Sequence, residues 1–162
     1  MKITAEWLKE KRACSNGVAW FNKYFPKGGE YQKVLDALAA ENNVSWGQWL
    51  LQNAGRLNTT LELDNIESKA SVFFAGQIII KNRIVVAGYL LAGWGIEAGS
   101  GIEAGYGIEA GLLIACKLLT AKHRIFAGLC IWKIPTDEEK TITCKKLVSG
   151  EIAYGILREA GK

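Results

Sequence analysis

Gly93-Trp94-Gly95-Ile96-Glu97-Ala98-Gly99-Ser100-Gly101-Ile102-Glu103-Ala104-Gly105-Tyr106-Gly107-Ile108-Glu109-Ala110-Gly111 repeats the unit G-x-G-I-E-A three times. Glycine at two of every six positions costs a helix about 1 kcal/mol at each one, so this stretch is not helical. Counting in sixes from the repeat gives Ile66, Val72, Ile78, Ile84, Leu90, Ile96, Ile102, Ile108 and Ile114, an unbroken aliphatic column. Two residues on runs a second column, Phe74, Ile80, Val86, Ala92, Ala98, Ala104, Ala110 and Cys116, which narrows from large to small. Positions offset by two share a strand face, so both columns point inward. Short β-branched strands separated by glycine at a fixed period describe a parallel β-solenoid.

Beyond Ala110 the pattern is carried better one residue earlier, by Leu113, Leu119, Ile125 and Ile131 with Ala115, Ala121 and Ala127, which predicts a bulge or corner near Leu112. Ile134 to Lys140 reads as a polar loop, and the strands after it keep a degraded register. The rung length stays open. Three hexads per turn put Glu97, Glu103 and Glu109 on three faces, and Trp94 and Tyr106 apart. Two hexads per turn stack Glu97 on Glu109 about 4.8 Å apart, where repulsion in water is only about 0.9 kcal/mol and decides nothing.

Before Asn58 the period is helical. Thr4 can cap a helix carrying Trp7, Leu8 and Lys11, and Ser15 or Asn16 a second that stops before Pro26. Tyr31, Val34, Leu35 and Leu38 recur at helical spacing, and Ser45 opens a last segment with Trp46, Trp49, Leu50 and Leu51. So small a bundle is marginal alone, which predicts that its aromatic face packs on the solenoid. The helices are expected to cover the first rung, and the last strands the other end, since a solenoid must hide its sheet edges. The fold class is therefore α+β: a small N-terminal helical module over 1–57, then a parallel β-solenoid with a short irregular C-terminal cap over 58–162.

The net charge of +4 is too modest to make nucleic acid the expected primary partner. It divides as +3 over 1–57 and +1 over 58–162. Cys14, Cys116, Cys130 and Cys144 contain no C-x-x-C pair and read as small buried residues in a reduced, cytoplasmic setting. The longest uncharged apolar run, Ile84 to Ile96, is too short and too glycine-rich to cross a bilayer. No motif asks for a metal or a cofactor.

The G-x-G-I-E-A-G array, the segment Lys122-His123-Arg124-Ile125-Phe126-Ala127-Gly128-Leu129-Cys130-Ile131-Trp132, and the opening Trp7-Leu8-Lys9-Glu10-Lys11-Arg12-Ala13-Cys14 with Gly17 and Trp20-Phe21 resemble a group of uncharacterised phage and prophage proteins. The resemblance implies a mobile-element origin and supplies no activity. The array alone is also similar to bactofilins and hexapeptide-repeat enzymes.

An acyltransferase of the hexapeptide kind needs a general base. His123 is the sole histidine, it lies between Lys122 and Arg124, and no acid stands beside it in sequence. Lys117, Lys122, Arg124 and Lys133 are scattered and read as a solvated face rather than a phosphate site. Glu97, Glu103 and Glu109, identical and outward, read first as solubilising charge. Trp94, Ser100 and Tyr106 occupy the variable position between glycines, and an exposed aromatic there is a contact candidate. These three, with Glu97, Glu103 and Glu109, form the expected partner-binding set. The tryptophans Trp7, Trp20, Trp46 and Trp49 exceed what so small a bundle needs, which adds a second candidate surface. The expected function is that of a non-enzymatic protein that binds a host or phage protein. The family context suggests an inhibitor of an anti-phage defence complex acting by steric occlusion. A structural protein polymerising through solenoid ends and a hexapeptide-type acyltransferase are the alternatives, and a homo-oligomer stays open.

Overall fold

The computed structural model describes residues 1–160. A short antiparallel pair, β1 (Lys2–Ile3) and β2 (Gly29–Glu30), ties the start of the chain to the turn before the third helix. Four helices arise from the local signals: α1 (Ala5–Glu10), α2 (Ser15–Tyr24), α3 (Tyr31–Ala40) and α4 (Val44–Ala54). Thr4 caps α1 as expected, its hydroxyl accepting from the Trp7 amide at 3.2 Å. The caps of α2 and α4 lie earlier than expected. Cys14 rather than Ser15 or Asn16 accepts from the Gly17 amide at 3.3 Å, and Asn43 rather than Ser45 accepts from the Trp46 amide at 3.3 Å. Leu8, Phe21, Val34, Leu35, Leu38 and Leu50 fill the module core. Tyr31 is buried among them, and burial raises its phenol pKa while its hydroxyl donates to the Gly55 carbonyl at 2.8 Å.

The remaining strands build the parallel solenoid: β3 (Thr60–Ser68), β4 (Val72–Phe74), β5 (Gln77–Val86), β6 (Leu90–Ala92), β7 (Ile96–Ala98), β8 (Gly101–Ala104), β9 (Ile108–Ala110), β10 (Ile114–Ala115), β11 (Leu118–Ala127), β12 (Thr141–Cys144), β13 (Lys146–Tyr154) and β14 (Ile156–Glu159). Ile78 pairs with Ile96 and Ile96 with Ile114, while Ile84 pairs with Ile102 and Leu90 with Ile108. Eighteen residues therefore make one rung, and three hexads close a triangle. The long strands β3, β5, β11 and β13 each run through a corner. The first face stacks β3, β5, β7, β10, β12 and β14. The second stacks β3, β5, β8, β11 and β13, and the third β4, β6, β9, β11 and β13. Both sequence columns enter one dry core, where Ile78, Ile84, Leu90, Ile96, Ile108, Ile114 and Ile125 are fully shielded.

The phase slip lies later than the sequence suggested. Ile114 keeps the old register opposite Ile96, whereas Leu119 stands opposite Ile102, so the residue is lost between Ala115 and Leu118. Leu119, Ile125, Ala121 and Ala127 are core residues as expected, but Leu113 and Ala115 are only half-buried. Ile131, assigned to the same column, is 64% exposed in an irregular segment that begins at Gly128, before the expected loop. A hydrophobic residue at the right spacing is not held inward once the strand has ended.

The module packs on the solenoid mainly along its flank, and the tryptophans of its aromatic face pair with one another instead. Phe73 and Leu91 point outward from the third face and are buried in the helical core. Gly47 of α4 lies so close that a Cβ there would sit 2.7 Å from the Phe73 ring. The first rung is covered on this face alone. The Gln32 amide of α3 mimics a further strand on the outer edge of β4, donating to the Phe73 carbonyl at 2.8 Å and accepting from the Ala75 amide at 2.9 Å. Asn42 supports it by accepting from both the amide and the hydroxyl of Ser71. β3, the first strand of the other two faces, is left exposed over most of its length, with Leu63 49% accessible and Glu62, Asp64 and Glu67 in solvent. Charge rather than covering protects that edge from stray pairing.

Of the four cysteines expected to be buried, only Cys144 is fully so, and Cys130 and Cys116 are half-buried. Burial pushes the Cys116 thiol up to about 12, whereas Cys14 is exposed at its helix cap. The thiolate is the reactive form. Titration of the native protein with a disulfide reagent is expected to label Cys14 at once and Cys116 and Cys144 more than about a hundredfold more slowly. Equal rates would contradict the packing of the inner two.

Candidate functional site

The triangular rung separates the sequence-predicted contact residues. Trp94 lies at the corner between the third and first faces, Ser100 between the first and second, and Tyr106 between the second and third. Glu97, Glu103 and Glu109 each occupy the middle of a different face. Trp94 is half-buried, with the Arg56 guanidinium 3.5 Å from its ring centroid and 5.2 Å from that of Trp132. It fastens the module-to-solenoid linker to the loop after β11. Ser100 is exposed, its backbone amide donating to the Asn82 carbonyl at 2.7 Å. Glu97 accepts from the Gln77 amide at 2.9 Å, and Glu103 pairs in solvent with Arg83 at 3.3 Å.

Glu109 differs from its two sequence twins. It points outward under the edge of the module, where it accepts a hydrogen bond from the Gln48 side chain of α4. Burial raises its carboxyl pKa, and the Gln48 bond opposes that only in part. The folded state therefore favours the protonated acid, and Glu109 costs stability as pH rises from the ordinary carboxylate range through its raised folded value. Glu109→Gln is expected to leave stability unchanged near pH 4 and to match or exceed the parent at about pH 8, read by urea melts. A variant less stable at the higher pH would show that the carboxylate is needed.

Tyr106 belongs to a ring ladder that sequence reading missed. Tyr89 stacks on Tyr106 at 5.2 Å between centroids and 15° between planes, and Tyr106 on His123 at 5.7 Å and 18°. The three are spaced by seventeen residues rather than eighteen, so counting in sixes could not align them. Lys122 lies 5.8 Å from the Tyr106 ring centroid. Beside the ladder, under α4, runs a groove of about 730 Å³ whose lining includes Gln48, Glu109, His123, Arg124, Phe126 and Gly150. The sequence gives His123 no acid neighbour, yet the fold brings Glu109 into the same groove.

A second opening lies within the module. Leu8, Trp20, Phe21, Trp46, Trp49 and Leu50 contribute to a mainly apolar cavity of about 280 Å³. Trp7, Trp20, Trp46 and Trp49 are all half-buried, and they meet edge-on in the pairs Trp7–Trp49 at 6.2 Å and Trp20–Trp46 at 6.0 Å. Trp20 also donates its indole N–H to Glu41 at 2.9 Å. Trp20, Trp46 and Trp49 thus form walls of an accessible apolar pocket, and Trp7 backs Trp49 from outside its lining. Among the described residues no helix is long and apolar enough to cross a membrane, and no cluster of three or more His, Cys, Asp or Glu is placed to hold a metal ion.

No curated protein and no solved structure matches the chain. A family model described as the YdhT N-terminal domain matches residues 1–58, which makes the helical module similar to that domain while the solenoid lies outside the match.

Proposed function

We propose that this is a non-enzymatic, protein-binding protein of phage or prophage origin that acts in the host cytoplasm. Its solenoid serves as a stiff post and its helical module as the recognition head. By this reading it inhibits a host component, such as an anti-phage defence complex, by steric occlusion. The observation that carries the reading is the tryptophan-lined cavity of the module, about 280 Å³ and open to solvent. Half-buried tryptophans around a preformed apolar pocket are the side chains that dominate binding energy at protein interfaces. Tyr106, 42% exposed at its corner, is a secondary contact. Trp94 fits a clamp on Arg56 better than a contact.

Affinity capture from host lysate, run in parallel with the intact protein and with Trp20→Ala, tests the proposal. A specific host protein recovered by the first and lost by the folded variant supports it. Recovery of no specific protein, or equal recovery by both, rejects it. One observation favours assembly through solenoid ends instead, the exposed β3 edge. Against that stands the β4 edge, already occupied by Gln32 and overhung by α3, which obstructs rung-on-rung continuation. Sedimentation that does not change with concentration is the expected result, and concentration-dependent filaments would favour assembly.

A further inference from the structure

The ring ladder ends on an open face. Tyr89, Tyr106 and His123 occupy the same corner of successive rungs, each stacked on the next. In the next rung that corner is cut short. Thr120 pairs with Ser149 and Arg124 with Glu151, so the three residues Ala121, Lys122 and His123 stand opposite Gly150 alone. The chain turns there at a φ of 111°, a left-handed conformation that glycine adopts freely. Among the described residues no fourth ring stacks on His123, and the groove that runs beside the ladder from Tyr89 reaches His123, Gly150 and Glu151 at this end. The face of His123 away from Tyr106 is therefore a ready platform for a flat ring. Bases stack on aromatic side chains irrespective of their sequence, because every base has a π-face.

The surroundings fit the rest of a nucleotide. Lys122 and Arg124 flank His123 in sequence, and all three are exposed. Among the described residues Arg124 pairs with Glu151 alone, at 4.0 Å and with both side chains mostly in solvent, a contact that a phosphate can displace. Gln48 and Glu109, joined by their mutual hydrogen bond, also line the groove and keep further polar atoms for a base edge. At about 730 Å³ the groove lies within the usual range for small-molecule sites.

We propose that this groove is a nucleotide site, with the base stacked on the open face of His123 and a phosphate held by Lys122 and Arg124. The site is independent of the tryptophan pocket, so loss of a protein partner by Trp20→Ala leaves it intact.

His123 is the only histidine in the chain, so its imidazole gives one isolated set of proton resonances. Titration with adenosine monophosphate and, separately, with a single-stranded decamer of deoxyadenosine is expected to move those resonances upfield to saturation. Saturation by the mononucleotide identifies a free nucleotide as ligand, and saturation by the decamer alone identifies a base within a single strand. Affinity measured by fluorescence anisotropy of a labelled form of the saturating probe is expected to fall about tenfold in His123→Ala and to survive in His123→Trp. Lys122→Gln/Arg124→Gln is expected to weaken binding and flatten its salt dependence. Resonances that stay fixed at millimolar concentrations of both probes overturn the proposal, as does undiminished affinity in His123→Ala or in the double variant.

Discussion

Gly105→Ala is expected to destabilise the protein by about 3 kcal/mol, at the upper end of overpacking costs, and to lower its melting temperature by about 10 °C. The unit G-x-G-I-E-A contains two glycines that look equivalent and are not. A Cβ on the one that follows alanine would sit 2.0 Å from the Lys81 carbonyl oxygen at Gly99 and 2.0 Å from that of Ala87 at Gly105. The obstacle is backbone of the preceding rung, itself fixed by the ladder, so it cannot swing aside. On the glycine that precedes isoleucine the nearest atom is 3.3 Å away at Gly95. Gly95→Ala should therefore cost about 1 kcal/mol or less. Calorimetry of the two variants checks the asymmetry, and equal losses would contradict the rung geometry.

Phe73→Ala is expected to cost about 3 to 5 kcal/mol, the usual range for emptying a buried aromatic site, and to uncouple the two parts of the molecule. Phe73 is fully enclosed, extending from the third face into the helical core against Gly47. Its removal leaves Leu91 as the main apolar link, with Gln32, Asn42 and Gln48 as polar ones. Tryptophan fluorescence reports chiefly the module, which holds Trp7, Trp20, Trp46 and Trp49. Strand circular dichroism reports the solenoid. In the parent the two signals should unfold together in urea, and in the variant fluorescence should change first. Coincident transitions in Phe73→Ala would mean that the module does not depend on this contact.

The inward columns were readable from sequence because a buried side chain leaves a periodic trace. Ile78, Ile84, Ile96 and Ile102 lie where counting in sixes puts them. What surrounds the core left weaker traces. Rung length depends on how many strands close a turn, and the repeat is the same for two or three. Glu97, Glu103 and Glu109 are indistinguishable in sequence, yet only Glu109 falls under α4, because the module covers one face. Ile131 kept the spacing of a core residue but lay past the end of its strand. The Tyr89–Tyr106–His123 ladder keeps a seventeen-residue step, because aromatic corners obey the local path of the chain rather than the average rung. The one available signal was the equal spacing of the three rings, which a search at every period from twelve to twenty would have revealed. The tryptophan excess was visible in the sequence, but that Trp20, Trp46 and Trp49 line a cavity depends on how four helices meet.

Three hexads to the turn is the claim on which every placement rests, from the corners of Trp94, Ser100 and Tyr106 to the platform below His123. Interstrand nuclear Overhauser effects test it most directly. Backbone contacts should join Ile78 to Ile96 and Ile96 to Ile114, with the Ile96 amide protected by its bond to the Leu113 carbonyl at 3.0 Å. Contacts joining Ile96 to Ile108 in their place would mean a two-hexad rung, and would stack Glu97 on Glu109.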